Sequence, residues 1–350
     1  MEAFYLGVDF HPHQQTVVWC EPTTGELKTA TLWHQEHAVV RAFYAALPAG
    51  IVGIEATTQA DWFAALLADT GHQLWVGHPA RIRARARSRH KSDQRDAELL
   101  YDLLRTGEFP RVWQRPAASQ AVLDILLLRQ RLVRQRTQTY NRLQALAHRC
   151  GLPKGRLVTQ SFQTQLKACS LNATQELVRA HWFKLLEQLT TQIEELELWL
   201  QQRANRDAAV QRLCTQKGVG YLTALTVVHT LGDVQRFPRL SKQVVAFAGL
   251  DPLERSSAGQ TRFGGISKQG NRLLRFQLGQ AASIAARYEG RLKSHFKKLA
   301  KKKPRALAKT ATARKLLVKL AIMLRDEITA AEFDARGRTV GNARVPSALP

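Results

Sequence analysis

The order of apolar runs in the first 106 residues constrains this chain most. The stretches "FYLGVDF" (4–10), "TVVWC" (16–20), "LKTATLW" (27–33) and "IVGIE" (51–55) are short, β-branched or aromatic, and bounded by Gly, Pro or Thr, which is the pattern of strands. "QLWVGHP" (73–79) reads as a fifth strand. Helical periodicity occupies 36–47 and 60–70, and a further helix is expected over 92–105. The series β-β-β-α-β-α-β-α specifies an α/β domain whose first three strands form an antiparallel meander.

That domain ends in a strongly basic stretch, "ARIRARARSRHKSDQRD" (80–96), which also holds two acids. With Ser92 as N-cap, Asp93 and Asp96 share one helix face, because residues three apart are neighbours on a helix. The same face continues through Leu99, Leu100, Leu103 and Leu104, while Glu98, Asp102 and Arg105 take the other side. Acids that serve only to neutralise arginines belong on the wet face. Carboxylates on the apolar stripe need a charge partner inside, and two side by side suggest a divalent cation. Asp9 interrupts the first strand and Glu55 ends the fourth. Should those strands be neighbours, Asp9, Glu55, Asp93 and Asp96 can converge on two Mg²⁺ ions, which in nucleases lie about 3.5–4 Å apart. Taken singly, each acid is equally a strand-end cap or a turn residue. His11, His13, His78 and His90 lie near these acids in sequence and read as phosphate-contacting or surface residues.

"EFPRVWQRP" (108–116) reads as a connector, and from about 117 to 215 the pattern is helical throughout. Leu189, Ile193, Leu196 and Leu200 recur at coiled-coil spacing, a seam for core or dimer packing. Arg129, Arg131, Arg134, Arg136 and Arg142 crowd one segment, as a solvated basic face or as phosphate contacts. A third unit begins near 216 with "GVG" (218–220), a turn able to offer backbone N–H groups to phosphate. It continues through "DPLERSSAGQTRFGGISKQGN" (251–271) into a helix from Arg272. Trp75, Trp113 and Trp182 read as core residues rather than base-stacking ones.

Lys and Arg number 52 against 28 Asp and Glu, a net charge of +24. Such an excess is the footprint of a polyanion partner, most often nucleic acid. No apolar run of about 18 residues and no signal-like N-terminus argue for a membrane. The four cysteines are scattered without a CxxC pair and read as reduced, mostly buried thiols of a cytosolic protein.

The segments "YLGVDFHPHQQTVVW", "VGIEATTQADW", "HPARIRARARSRHKSDQRDAELL", "GVGYLTALTVVHTLGDVQRF" and "AFAGLDPLERSSAGQTRFGGISKQGNRLLR" together resemble the IS-one-ten family of insertion-sequence transposases. The resemblance runs to about residue 330. It implies α/β plus all-α architecture: a RuvC-like (RNase H fold) DEDD domain over 1–108, a helical coiled-coil region over 109–215, a mostly helical transposase domain over 216–330, and a disordered tail over 331–350. Asp9, Glu55, Asp93 and Asp96 match the DEDD carboxylates, and Ser257 matches the catalytic serine. Lys268, Asn271, Arg272 and Arg275 around that serine read equally as a clamp on the scissile phosphate or as a helix N-terminus with exposed basic side chains. Arg83, Arg85, Arg87, Arg131, Arg134 and Arg136 are the other expected nucleic-acid contacts. The resemblance further implies donor and target DNA as substrates and a guide non-coding RNA. It also implies a homo-oligomer, dimer or tetramer, with composite active sites, in a cytoplasmic, nucleoid-associated setting. A hydrolytic RuvC-like nuclease acting on Holliday junctions is the alternative, needing the acids but not the serine.

Overall fold

Strand β1 (Phe4–Phe10) is the hinge of the first sheet: it pairs antiparallel with β2 (Gln14–Cys20), which pairs antiparallel with β3 (Leu27–Trp33). On its other side β1 pairs in parallel with β4 (Gly50–Glu55), and β4 with β5 (Gln73–Gly77), giving the order β3-β2-β1-β4-β5. These elements come from a computed structural model that describes residues 3–57, 60–86, 92–152, 155, 159–254, 263–288 and 290–342. The strands lie where the apolar runs predict them. Helices α1 (His37–Ala46) and α2 (Asp61–Asp69) follow the expected periodicity, and a short α3 (Pro79–Arg83) precedes α4 (Asp93–Arg105).

Alternation along β1 sorts its side chains between two layers. Leu6 and Val8 are fully buried with Val40 and Tyr44 of α1 and Phe63 and Leu67 of α2. The opposite face carries Gly7, paired to Val18 on one side and Gly53 on the other. A Cβ at Gly7 would stand 2.1 Å from the Ala97 carbonyl oxygen and 2.4 Å from the Tyr101 nitrogen, so the α4 backbone rests directly on the strand. One at Gly53 would meet Leu104 at 2.8 Å. The helix buries Ala97, Leu100, Tyr101, Leu103 and Leu104 against this face. Its start is fixed by Ser92, whose hydroxyl accepts the Arg95 N–H at 3.3 Å, the cap expected there. Asp102 pairs with Arg105 on the outer side.

The chain divides after Gln114, not at 108. Phe109 is buried in the first unit's core and Arg111 bridges to Gly77, so the proline-rich connector belongs to that unit.

The second unit is helical, with one small hairpin. Helix α5 (Ala117–Arg149), α6 (Gln160–Ala168) and α7 (Ala173–Asn205) come first, α7 opening on an Asn172–Gln175 capping box. They are followed by α8 (Ala208–Cys214), α9 (Tyr221–Leu231) and α10 (Leu240–Phe247). Strands β6 (Pro252–Glu254) and β7 (Phe263–Ile266) pair antiparallel and lead to α11 (Arg272–Tyr288), α12 (Gly290–Ala300), α13 (Arg305–Arg325) and α14 (Ala330–Asn342).

Long helices α5 and α7 run antiparallel: Leu126 shares a core with Leu200, Arg129 pairs with Glu197, and Leu143 meets Leu186 at the far end. The leucine seam is therefore used within the chain, with Leu189, Ile193 and Leu200 buried and Leu196 half-buried. No packing break falls at 215/216. Val122, Leu123 and Leu126 enter the same cluster as Leu225, Leu274 and Leu317, so the helical region and the expected transposase domain share one core. Of the expected disordered tail over 331–350, residues 343–350 lie outside the described residues and the part before them differs from the expectation. Residues Ala330–Asn342 are helical, with Phe333 against the core and Asp334 accepting from Lys319 at 2.9 Å. Among the described residues no helix is long and apolar enough to cross a membrane.

Candidate metal centre and basic faces

The carboxylates sit one row beyond the glycines that admit α4. Asp9 lies two residues past Gly7 and so faces the same layer, opposite Thr16 of β2. Continuing the parallel register one step past the Val8–Ile54 pair brings Glu55 beside Asp9. From above, the first turn of α4 supplies Asp93 and Asp96, one helical turn ahead of the residues that pack on the sheet. Close backbone packing at Gly7 is thus what lowers the helix start onto the strand ends.

The atoms converge around Asp9. The His11 ring Nε2 is 3.0 Å from Asp9 Oδ2 and 3.6 Å from Asp93 Oδ1, and Gln14 Nε2 donates to Asp93 Oδ2 at 3.2 Å. One ligand atom each from Asp9, His11 and Asp93 lies within 4.8 Å of the others, a group able to hold a metal ion. The Asp9 side chain is 15% exposed and that of Asp93 44%, so the group opens to solvent on one side. Burial pushes the Asp9 carboxyl above the usual range; His11 opposes this, while the neighbouring charges of Asp96 and Asp93 add to it. A half-desolvated acid repelled by two others is the electrostatic situation that a divalent cation relieves. The carboxylate oxygens are hard donors that fit such an ion, with the imidazole held against Asp9 as their outer partner.

Of the four expected acids, Asp9, Asp93 and Asp96 gather here. Glu55 takes the adjacent register position, but its carboxylate engages Arg83 at 3.3 Å. The sequence reads His11 as a phosphate-contacting or surface residue and not as part of the acid cluster; the D-x-H spacing at a strand end, which puts both side chains on one face, is the signal that points to it. Two of the expected phosphate contacts are engaged with acids: Arg83 with Glu55, and Arg85 with Glu108 at 3.4 Å. Arg87 and His90 lie outside the described residues.

In the second unit, Ser256 and Ser257 also fall outside the described residues. The motif that follows them divides into structural and exposed parts. Asn271 Oδ1 accepts the Leu274 N–H at 3.0 Å and so caps α11. The Arg275 guanidinium donates to the carbonyls of Ala248 at 3.0 Å and Gly270 at 3.1 Å, latching the turn. Gly270, at φ +99, passes so close to Phe247 that a Cβ would lie 2.1 Å from its carbonyl oxygen. Lys268 and Arg272 are exposed, as are Arg131 and Arg134 on α5, whereas Arg136 is half-buried. Arg142 lies 4.4 Å over the Trp182 ring and Arg111 4.6 Å over Trp75, so both tryptophans are packed and already stacked on cations. In "GVG", Gly218 at φ +93 lets α9 approach α11, where a Cβ would stand 2.8 Å from the Ala281 carbonyl oxygen.

Both regions of the chain are similar to known transposases. A DEDD transposase family model matches residues 6–150, and the model described as Transposase IS116/IS110/IS902 family matches residues 210–297. A "Probable family 20 transposase" of Pseudomonas aeruginosa is 31% identical over 258 residues, covering 72% of this chain and 76% of that protein. The transposase for insertion sequence element IS1328 of Yersinia enterocolitica is 30% identical over 249 residues, 69% of this chain and 72% of the relative. That for IS1111A of Coxiella burnetii is 29% identical over 249 residues, 70% and 68% respectively. With its carboxylate centre inside one matched region and its glycine-lysine turn inside the other, the chain belongs to the IS116/IS110/IS902 family of insertion-sequence transposases.

Proposed function

We propose that this transposase is an RNA-guided DNA recombinase, which cuts and rejoins strands through Ser257 with the aid of Mg²⁺ held by a RuvC-like (RNase H fold) DEDD domain. The observation that carries the reading is the convergence of Asp9, His11 and Asp93, with Asp96 beside them, at one sheet edge. The RuvC-like reading is supported by an antiparallel meander extended by parallel strands, with acids on the ends of β1 and β4.

When bound, divalent cations supply charge neutralisation at the scissile phosphate and at the attacking and leaving oxygens. Asp9, Asp93 and Asp96 would hold them, with Gln14 orienting Asp93 and with Glu55, here paired with Arg83, as the fourth carboxylate of the set. His11 fixes the Asp9 carboxylate through its ring nitrogen. The Ser257 Oγ attacks phosphorus and gives up its proton; the displaced sugar oxygen takes a proton and leaves as a hydroxyl. The resulting seryl phosphodiester keeps the energy of the broken bond, and attack by a second DNA hydroxyl restores the serine. Arg131, Arg134, Lys268 and Arg272 bind nucleic-acid phosphates in this reading, which their exposure and the net charge of +24 support. Guide RNA, homo-oligomeric assembly and a nucleoid setting belong to the same reading.

A hydrolytic nuclease is the second reading, favoured by a carboxylate centre that draws every member from residues 9–96. Guidance is tested by purifying the protein without nuclease treatment from cells carrying the whole element and sequencing the nucleic acid that follows it. One discrete RNA encoded by the element supports it; bulk host RNA, or none, contradicts it.

A further inference from the structure

A cavity of about 540 Å³ opens between α11 and α13, in the size range of small-ligand sites, roughly 300–1,000 Å³. Arg272, Phe276 and Gly279 follow one another at i, i+4 and i+7 and so line it from one face of α11. Lys309 enters from α13 and Lys268 from the turn before α11. Every ionisable side chain of the lining is cationic. Lys319 is paired with Asp334 and Arg212 with Glu327, whereas Lys268, Arg272 and Lys309 have no acid partner among the described residues. Phe276 is 41% exposed beside them, although the neighbouring Leu273, Leu274, Gln277 and Leu278 are buried. At Gly279 a Cβ would have only the Lys309 Cε near it, at 3.7 Å. Packing does not demand glycine there; its effect is to leave the floor of the cavity open.

A cationic rim with no counter-charge and one flat apolar wall fits a ligand that is anionic at one end and flat and aromatic at the other. Inorganic phosphate would satisfy the lysines and leave Phe276 idle; a nucleotide satisfies both. A base within a duplex is stacked and paired and cannot reach such a wall, whereas an unpaired base can. We propose that this cavity receives one unpaired nucleotide of the DNA strand being processed, its base against Phe276 and its phosphates on Lys268, Arg272 and Lys309. The proposal rests on the reading that the chain acts on DNA. It goes further in assigning an aromatic subsite that selects single-stranded or extruded nucleotides.

The test measures binding of the full-length protein by fluorescence anisotropy to a DNA duplex with a short single-stranded gap, to the same duplex without the gap, and to the gapped form with RNA in the exposed strand. Loss of one base–aromatic stack corresponds to about a tenfold loss of affinity, so Phe276→Ala is expected to weaken gapped DNA by about that factor and continuous duplex by less than about twofold. Phe276→Trp is expected to restore gap binding, with indole fluorescence quenched on the gapped probe alone. Gly279→Leu, which fills the floor while improving helix propensity, is expected to give the same selective loss. Equal effects on both DNA probes, or no effect, overturn the subsite while leaving DNA binding intact. A loss confined to the RNA-containing probe overturns the assignment to DNA. Failure of the wild-type protein to bind any probe removes the underlying reading and the subsite with it.

Discussion

Asp9 is held where its charge is opposed by burial and by Asp93 and Asp96, and His11 only partly compensates. Asp9→Asn removes that repulsion, so the variant is expected to melt no lower than wild type in metal-free buffer. It is nevertheless expected to lose DNA cleavage by more than about 100-fold, the upper range for deleting a mere outer partner of a metal ligand. His11→Gln, which keeps a polar group but not the imidazole, is expected to lie within about 10–100-fold of wild type. Cleavage rates over a Mg²⁺ titration, with calorimetric melting beside them, check both; an Asp9→Asn protein that cuts at the wild-type rate would sink the metal centre. At this scale Asp9 and Glu55 stand out because each interrupts or ends an apolar run, and Asp93 and Asp96 because they share a helix face with the leucines that follow. His11 does not, because an imidazole at a strand end breaks no pattern. The partners of Glu55 and Arg275 were equally hidden, since the contact from residue 55 to residue 83, or from 275 to 248, depends on how loops close.

The element that organises the centre is α4 lying on β1, and its tolerance is set by Gly7. Alanine there drives a methyl into the α4 backbone, which has no room to yield, so a loss of about 1–3 kcal/mol or more is expected. Gly53→Ala meets only the side chains of Leu104 and Phe109, which can shift, and is expected to cost less. Denaturant unfolding of the two variants settles the order, and the reverse ranking would contradict the close approach of helix and strand. In the second unit, α9 buries His229, its Nδ1 on the Ser119 hydroxyl and its carbonyl accepting from Arg115. Burial holds this imidazole below its ordinary 6.5, with Asp207 opposing and Arg203 and Arg115 adding to the effect. The neutral form therefore stabilises the fold at pH values above 6.5; as pH falls below that, the unfolded chain takes up the proton first and stability declines. His229→Gln is expected to flatten the fall in melting temperature between neutral and mildly acid pH. An unchanged slope would assign the pH dependence to other groups. Element identities were readable from period and punctuation. Their partition was not, since the root of the α5–α7 hairpin enters the same core as α9, α11 and α13 through contacts that no local pattern announces.

Across the whole molecule the excess of 52 basic over 28 acidic residues makes nucleic-acid binding an electrostatic property before it is a specific one. Six to ten phosphate contacts would reduce affinity by roughly 10³–10⁵ between 50 and 200 mM salt, and a flat response would count against nucleic acid as the main partner. Binding alone does not separate recombination from hydrolysis; the fate of the broken phosphodiester does. Cutting by an activated water needs no protein nucleophile, whereas strand exchange through a serine must pass through a protein–DNA bond. The most direct measurement is to stall the wild-type protein on a nicked suicide substrate with Mg²⁺, denature it, and map any attached DNA by peptide mass. The account predicts an adduct on Ser257, absent in Ser257→Ala and in Asp9→Asn and retained in Ser256→Ala. Efficient cutting by Ser257→Ala, with no adduct on any residue in the wild type, would contradict it and leave the carboxylate centre as that of a hydrolytic nuclease.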